Sequence, residues 1–156
     1  WGGSCFGKDT AALIAENHLA LEPLLRARLV EQLPDVHVGG FLDYLDLLNG
    51  QSTTVPAVFV VYDGDRLSSG AGSPHQSIVG QVWQVAIVTP AATALDGALD
   101  MAPTGALMAT VIRSLSGVRL DATLKPLARL DDADPMRHGN GLLFAFLAFN
   151  QPIDMR

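Results

Sequence analysis

Two long runs of strand-forming residues, separated by a Gly/Ser-rich connection, set the limits on what this chain can fold into. Residues 56–62 (Pro-Ala-Val-Phe-Val-Val-Tyr) are dense in β-branched and aromatic side chains, and so are residues 76–89, which end at Pro90. Between them, residues 63–74 begin as a turn at Asp63-Gly64-Asp65 and continue small and polar. Side chains alternate along a strand, so Val58, Val60 and Tyr62 share one face while Phe59 and Val61 share the other. The second run divides in the same way, into Val79, Gln81, Trp83, Val85 and Ile87 against Ile78, Val82, Ala86 and Val88. A strand with one wet face alternates apolar with polar. These do not, so both faces need cover, from helices or from another subunit.

Length and charge narrow the setting. A chain of 156 residues fits one domain and can bury about two thirds of its unfolded surface. About half the residues are apolar, which predicts a packed core. No apolar run approaches the ~20 residues needed to span a bilayer, so no membrane partner is expected. Nor does a basic stretch precede an apolar one near the start, which reads against secretion. Sixteen acids against ten Lys and Arg leave a formal charge of −6, the wrong sign for tight nucleic-acid binding. The single cysteine, Cys5, excludes an internal disulfide or a Cys-rich zinc site and reads as a reducing compartment.

Residues 1–20 are expected to form a flexible leader and residues 21–153 a single domain. In that domain Leu21, Leu25, Leu29 and Leu33 recur every four residues around Pro23, predicting an amphipathic helix that stops at Pro34. Residues 36–39 form a short strand candidate. A short helix follows over Phe41–Leu48, read from the spacing of Leu42, Leu45 and Leu48 and ended by Asn49-Gly50. Ala102–Leu115 is the second main helix, with Pro103 near its start, Gly117 past its end, and a stripe of Leu107, Met108, Val111, Ile112 and Leu115. Residues 124–130 read as a strand that Pro126 confines to an edge or interrupts, and an acidic turn over 131–141 leads into an apolar strand over 142–149. The expected fold is α+β: a mixed, mostly antiparallel sheet of four to five strands with the two main helices on one face. Two helices leave the second face bare, which predicts self-association.

Catalytic signatures are missing. The chain has no G-x-S-x-G, P-loop, G-x-G-x-x-G or H-E-x-x-H motif. His18, His37, His75 and His138 are scattered and form no i, i+4 pair of metal ligands. Asp131, Asp132 and Asp134 lack the spacing and closing Glu of a calcium loop and read as a solvated turn. A small enzyme working through Asp63, Asp65 and His75 is the distant alternative. No enzyme activity, cofactor or metal is expected. Trp83 can be read as core filling or as an anchor in a subunit contact.

The stretch Thr54-Val-Pro-Ala-Val-Phe-Val-Val-Tyr-Asp-Gly64, after a helix ending in Leu33-Pro34, resembles the tail-terminator family of long-tailed bacteriophages. Val79-Gly-Gln-Val-Trp-Gln-Val-Ala-Ile-Val88 is similar to that family's second long strand, and the order of elements agrees over about residues 21–153. What the resemblance implies is a virion protein, assembled in the host cytoplasm, that forms a ring, usually a hexamer. The ring caps the tail tube, ends its polymerisation and joins the tail to a neck or head-completion protein. Its implied partners are further copies of itself, the tail tube protein, the neck protein and the tail sheath, with DNA sliding through the channel unbound. An acidic chain suits such a channel. Candidate partner contacts are Asp65, Arg66, Leu67, Ser68, Ser69 and Gly70 in the connection, together with Trp83, Asp131 and Asp132. Another neck or head-tail completion protein of the same virion is the alternative reading.

Overall fold

The computed structural model of the protein describes residues 10–51, 54–67, 78–93 and 95–154. Its elements run in the order α1 (Thr10–Glu16), α2 (Leu21–Gln32), β1 (His37–Gly39), α3 (Phe41–Leu48), β2 (Ala57–Leu67), β3 (Ile78–Pro90), α4 (Ala102–Leu115), β4 (Ala128–Leu130), β5 (Arg137–Gly139) and β6 (Leu142–Asp154). The fold is α+β, on one mixed sheet of six strands in the order β1-β2-β3-β6-β4, with β5 also paired to β6. Only β1 and β2 run parallel. The long strands β3 and β6 pair along their whole length, from Ile78 opposite Asp154 to Pro90 opposite Leu142. Since β3 occupies one side of β6 throughout, β4 and β5 lie end to end along the other.

The first face of the sheet carries the larger core. Val58 and Val60 of β2, Trp83, Val85 and Ile87 of β3, and Ala145, Leu147, Phe149 and Ile153 of β6 pack beneath Leu21, Leu25, Leu29 and Leu33 of the α2 segment and Val111 and Leu115 of α4. The leucines of α2 recur every fourth residue and so form one stripe, as their spacing predicts. The core also reaches back before residue 21: Ile14, on α1, is 1% exposed and belongs to it. Packed chain therefore begins inside the segment expected to be a flexible leader, because α1 supplies the apolar side chain that fills this corner.

The second face is not left bare. Tyr44 and Leu47 of α3 pack on Ala57, Phe59, Ala86, Val88 and Phe146, with Ala133 against the same cluster. The bare face expected from the sequence is thus covered within the chain, by a short helix and by the segment after β4. On α3 the buried residues are Tyr44 and Leu47, while Leu42 and Leu48 of the anticipated stripe face solvent. Six of its eight positions are apolar, with Asp43 and Asp46 between them, so more than one apolar stripe can be drawn and the leucine spacing marks one that does not pack inward.

Strand limits differ from expectation in three places. The Asp63-Gly64-Asp65 stretch is a β-bulge within β2, where the register shifts between Tyr62 and Asp65 and Gly64 takes φ +101°; it does not end the strand. Residues 124–130 contribute only Ala128–Leu130 as strand, because Leu124 and Leu127 turn into the core around Pro126. The acidic turn contains β5, and β6 runs on through Pro152. Beyond Asn150, β6 pairs with β3 alone among the described strands, the edge position in which proline is tolerated.

Candidate interaction surfaces

The bulge in β2 builds a polar cluster at one end of the sheet. It leaves Tyr62 opposite Trp83 and sets Asp65 opposite Gln81. With one extra residue between them, the Tyr62 hydroxyl reaches back to donate to the Asp65 carboxylate. His18 Nε2 lies 2.9 and 2.8 Å from the two oxygens of the same carboxylate. The His18 ring meets Tyr62 edge-on at 5.9 Å, and Tyr62 in turn lies 5.2 Å from Trp83. Gln81 is fully buried: its amide donates to the His18 carbonyl at 2.6 Å, and its oxygen accepts the Trp83 indole N–H at 3.2 Å. The α1–α2 junction is thereby clamped to the end of β2. Burial, followed by the bond to Asp65 and its charge, pushes the Tyr62 phenol up to about 12.

A second set of polar contacts crosses the other face. Arg66 pairs with Asp132, which ties the segment after β4 to the end of β2. Gln84 donates to Asp63 at 3.0 Å. The Arg137 guanidinium sits 5.1 Å above the centre of the Phe146 ring. Burial pushes the Tyr44 phenol up, against the opposing pull of the Arg137 charge. Two hollows remain here. One, of about 480 Å³, lies between the end of α3 and the β5–β6 turn and is lined by Leu47, Leu48, Val55, Arg137, Leu142 and Phe144 among others. The other, of about 220 Å³, is lined by Tyr44, Val61, Asp63, Gln84, Asp134 and Phe146 among others.

The structure separates the candidates picked out in the sequence. Asp65, Arg66 and Leu67 form the end of β2, and Arg66 is joined to Asp132, whereas Asp131 is exposed. Ser68, Ser69 and Gly70 lie outside the described residues, as do His75 and Cys5. Trp83 is 1% exposed and bonded to Gln81, which fits the core-filling one of its two readings. Asp65 is engaged by Tyr62 and His18, while Asp63 faces the smaller hollow and Gln84. The two carboxylates therefore do not share a site. Among the described residues no three His, Cys, Asp or Glu gather in a metal-holding group, and no helix is long and apolar enough to cross a membrane. Sequence reasoning missed His18 as the partner of Asp65, and Arg137 with Tyr44. These contacts link residues far apart in the chain, and no local pattern announces them.

A family model described as phage tail terminator protein matches residues 15–156. No curated protein matches the chain. Among solved structures the chain is similar to one in the virion of a native gene transfer agent (GTA) particle, at 14% identity and a TM-score of 0.47, over 94% of this chain and 95% of that one.

Proposed function

Because this chain belongs to the phage tail terminator protein family, we propose that it forms a ring, hexameric in its closed state, that caps the tail tube and stops its polymerisation. The ring then joins the tail to a neck or head-completion protein. The observation that carries this reading is the family match over nearly the whole chain, residues 15–156, from within α1 to past the end of β6. Membership makes the protein a structural component of the phage virion.

The finer reading follows from physical fit. The tail tube protein and the neck protein are the stacking partners, with the sheath beside them where the tail has one. Asp65 and Arg66, at the end of β2, are the candidate contacts with an axial neighbour. DNA crosses the channel without specific binding, since a chain of charge −6 repels phosphate. Assembly takes place in the host cytoplasm, before the virion is complete.

Tube length tests the proposal. Purified tail tube protein is polymerised with and without this protein, and the tubes are imaged by negative-stain electron microscopy. The expected result is a ring density at one end and shorter tubes as the protein is added. Tubes of unchanged length with no added density would overturn it.

A further inference from the structure

The sheet has two open edges, and they carry opposite charge. β1 is paired only with β2, and β4 only with β6, among the described strands. Each edge therefore offers backbone N–H and C=O groups to another chain. Residues 31–46, which contain β1, hold the exposed acids Glu31, Asp35, Asp43 and Asp46 and no Lys or Arg. Residues 113–130, which lead through β4, hold the exposed cations Arg113, Arg119, Lys125 and Arg129 against a single acid, Asp121. In a chain with ten Lys and Arg and an excess of acids, that is a marked separation. Asp131, Asp132 and Asp134 follow β4 directly and are exposed, with Asp132 paired to Arg66, so the excess of cations on this edge is that of the stretch leading into and through β4.

The acidic edge also has an apolar centre. α2 and α3 flank β1 and place Val30, Phe41 and Leu42 in solvent, at 55, 54 and 74% exposure. Large apolar side chains ringed by charge have the anatomy of a protein contact. The opposite edge presents Ala122, Pro126 and Ala128, all exposed, between its cations.

We propose that the β1 edge of one copy docks on the β4 edge of the next. The occupant is a second copy of this chain because each molecule carries both halves of the match, at opposite ends of one sheet. Two acidic edges would repel each other, so the contact runs head to tail, and a head-to-tail contact generates rings when its rotation closes. The inference rests on the ring reading and names the surface that makes it.

Two variants test it: Phe41→Asp with Leu42→Asp at the acidic edge, and Lys125→Glu with Arg129→Glu at the basic edge. All four positions are exposed, and unchanged circular dichroism would show that both variants fold. Native mass spectrometry and sedimentation then read assembly at concentrations where the unaltered protein forms rings, with tail tubes added if it needs them. Each variant alone is expected to associate at least roughly thirtyfold more weakly. Mixed one to one, the two are expected to give a dimer and nothing larger, since each keeps one working edge. Rings from either variant alone, or no dimer from the mixture, would overturn the edge assignment and leave the ring reading standing. An unaltered protein that stays monomeric with tubes present would overturn both.

Discussion

On one face of the sheet, α1, α2 and α4 lay apolar side chains over three long strands and leave almost nothing of that core exposed. On the other, a single eight-residue helix and an irregular acidic segment share the work, tied down by Arg66–Asp132 and by Arg137 over Phe146. The first face is sealed by packing. The second is sealed partly by charge, and it retains hollows of about 480 and 220 Å³. Packing of aliphatic side chains is dense and resists change, whereas exposed ion pairs contribute little and weaken with salt. The first face should therefore resist substitution more than the second.

The largest expected effect would break this comparison if the two faces proved equal. Leu29, fully buried beneath the helices of the first face, should cost about 3 kcal/mol on Leu29→Ala. Leu47, at the rim of the α3 cluster and beside the larger hollow, should cost about 2 kcal/mol on Leu47→Ala, because its surroundings are already open. Urea unfolding midpoints at constant slope give both values. Equal losses would mean that α3 is held as firmly as α2.

The same contrast explains how far the sequence could be read. Leucines at every fourth position can serve only one face, so α2 and its buried side were open to prediction. So was the double-sided apolar character of β2, β3 and β6, and with it the fold class. The cover of the second face was not. In Phe41–Leu48 the regular spacing of Leu42, Leu45 and Leu48 marks a different stripe from Tyr44 and Leu47, which turn inward, and residues 131–136 have the composition of a solvated turn. Arg66 and Asp132 stand 66 positions apart, and no pattern in either stretch joins them. Asp63-Gly64-Asp65 has turn chemistry, yet long-range pairing with β3 carried the strand through it as a bulge. Trp83 was open to two readings from its neighbours Gln81 and Gln84; the three-dimensional position of Gln81, bonded to its indole, fits the core-filling one.

A double-mutant cycle on Arg66 and Asp132 sharpens the comparison at an intermediate scale. Both side chains are about half exposed, so their coupling should be about 0.5 kcal/mol and should fall when salt is raised from low to molar concentration. Comparable cycles between Leu25 and Val111 on the first face should not respond to salt in that way. A salt-independent coupling at Arg66–Asp132 would show that the acidic segment is held by packing after all.

The smallest effect lies at the corner where the first face meets solvent, and its pH dependence shows only in alkali. The Tyr62 phenol is raised to about 12 from an ordinary value of 10.0, so the folded protein keeps its proton over a range where the unfolded chain has lost it. Its contribution to stability is therefore complete below about pH 10 and disappears as the pH rises through about 12. Tyr62→Phe removes that dependence together with the bond to Asp65. Unfolding free energies of the two proteins should differ most below pH 10, with the phenylalanine variant the less stable, and the difference should narrow steadily between pH 10 and 12. Parallel curves across that window would mean that Tyr62 ionises as it does in water. The clamp between His18, Asp65 and β2 would then be looser than the core beside it, and that corner would behave like the second face.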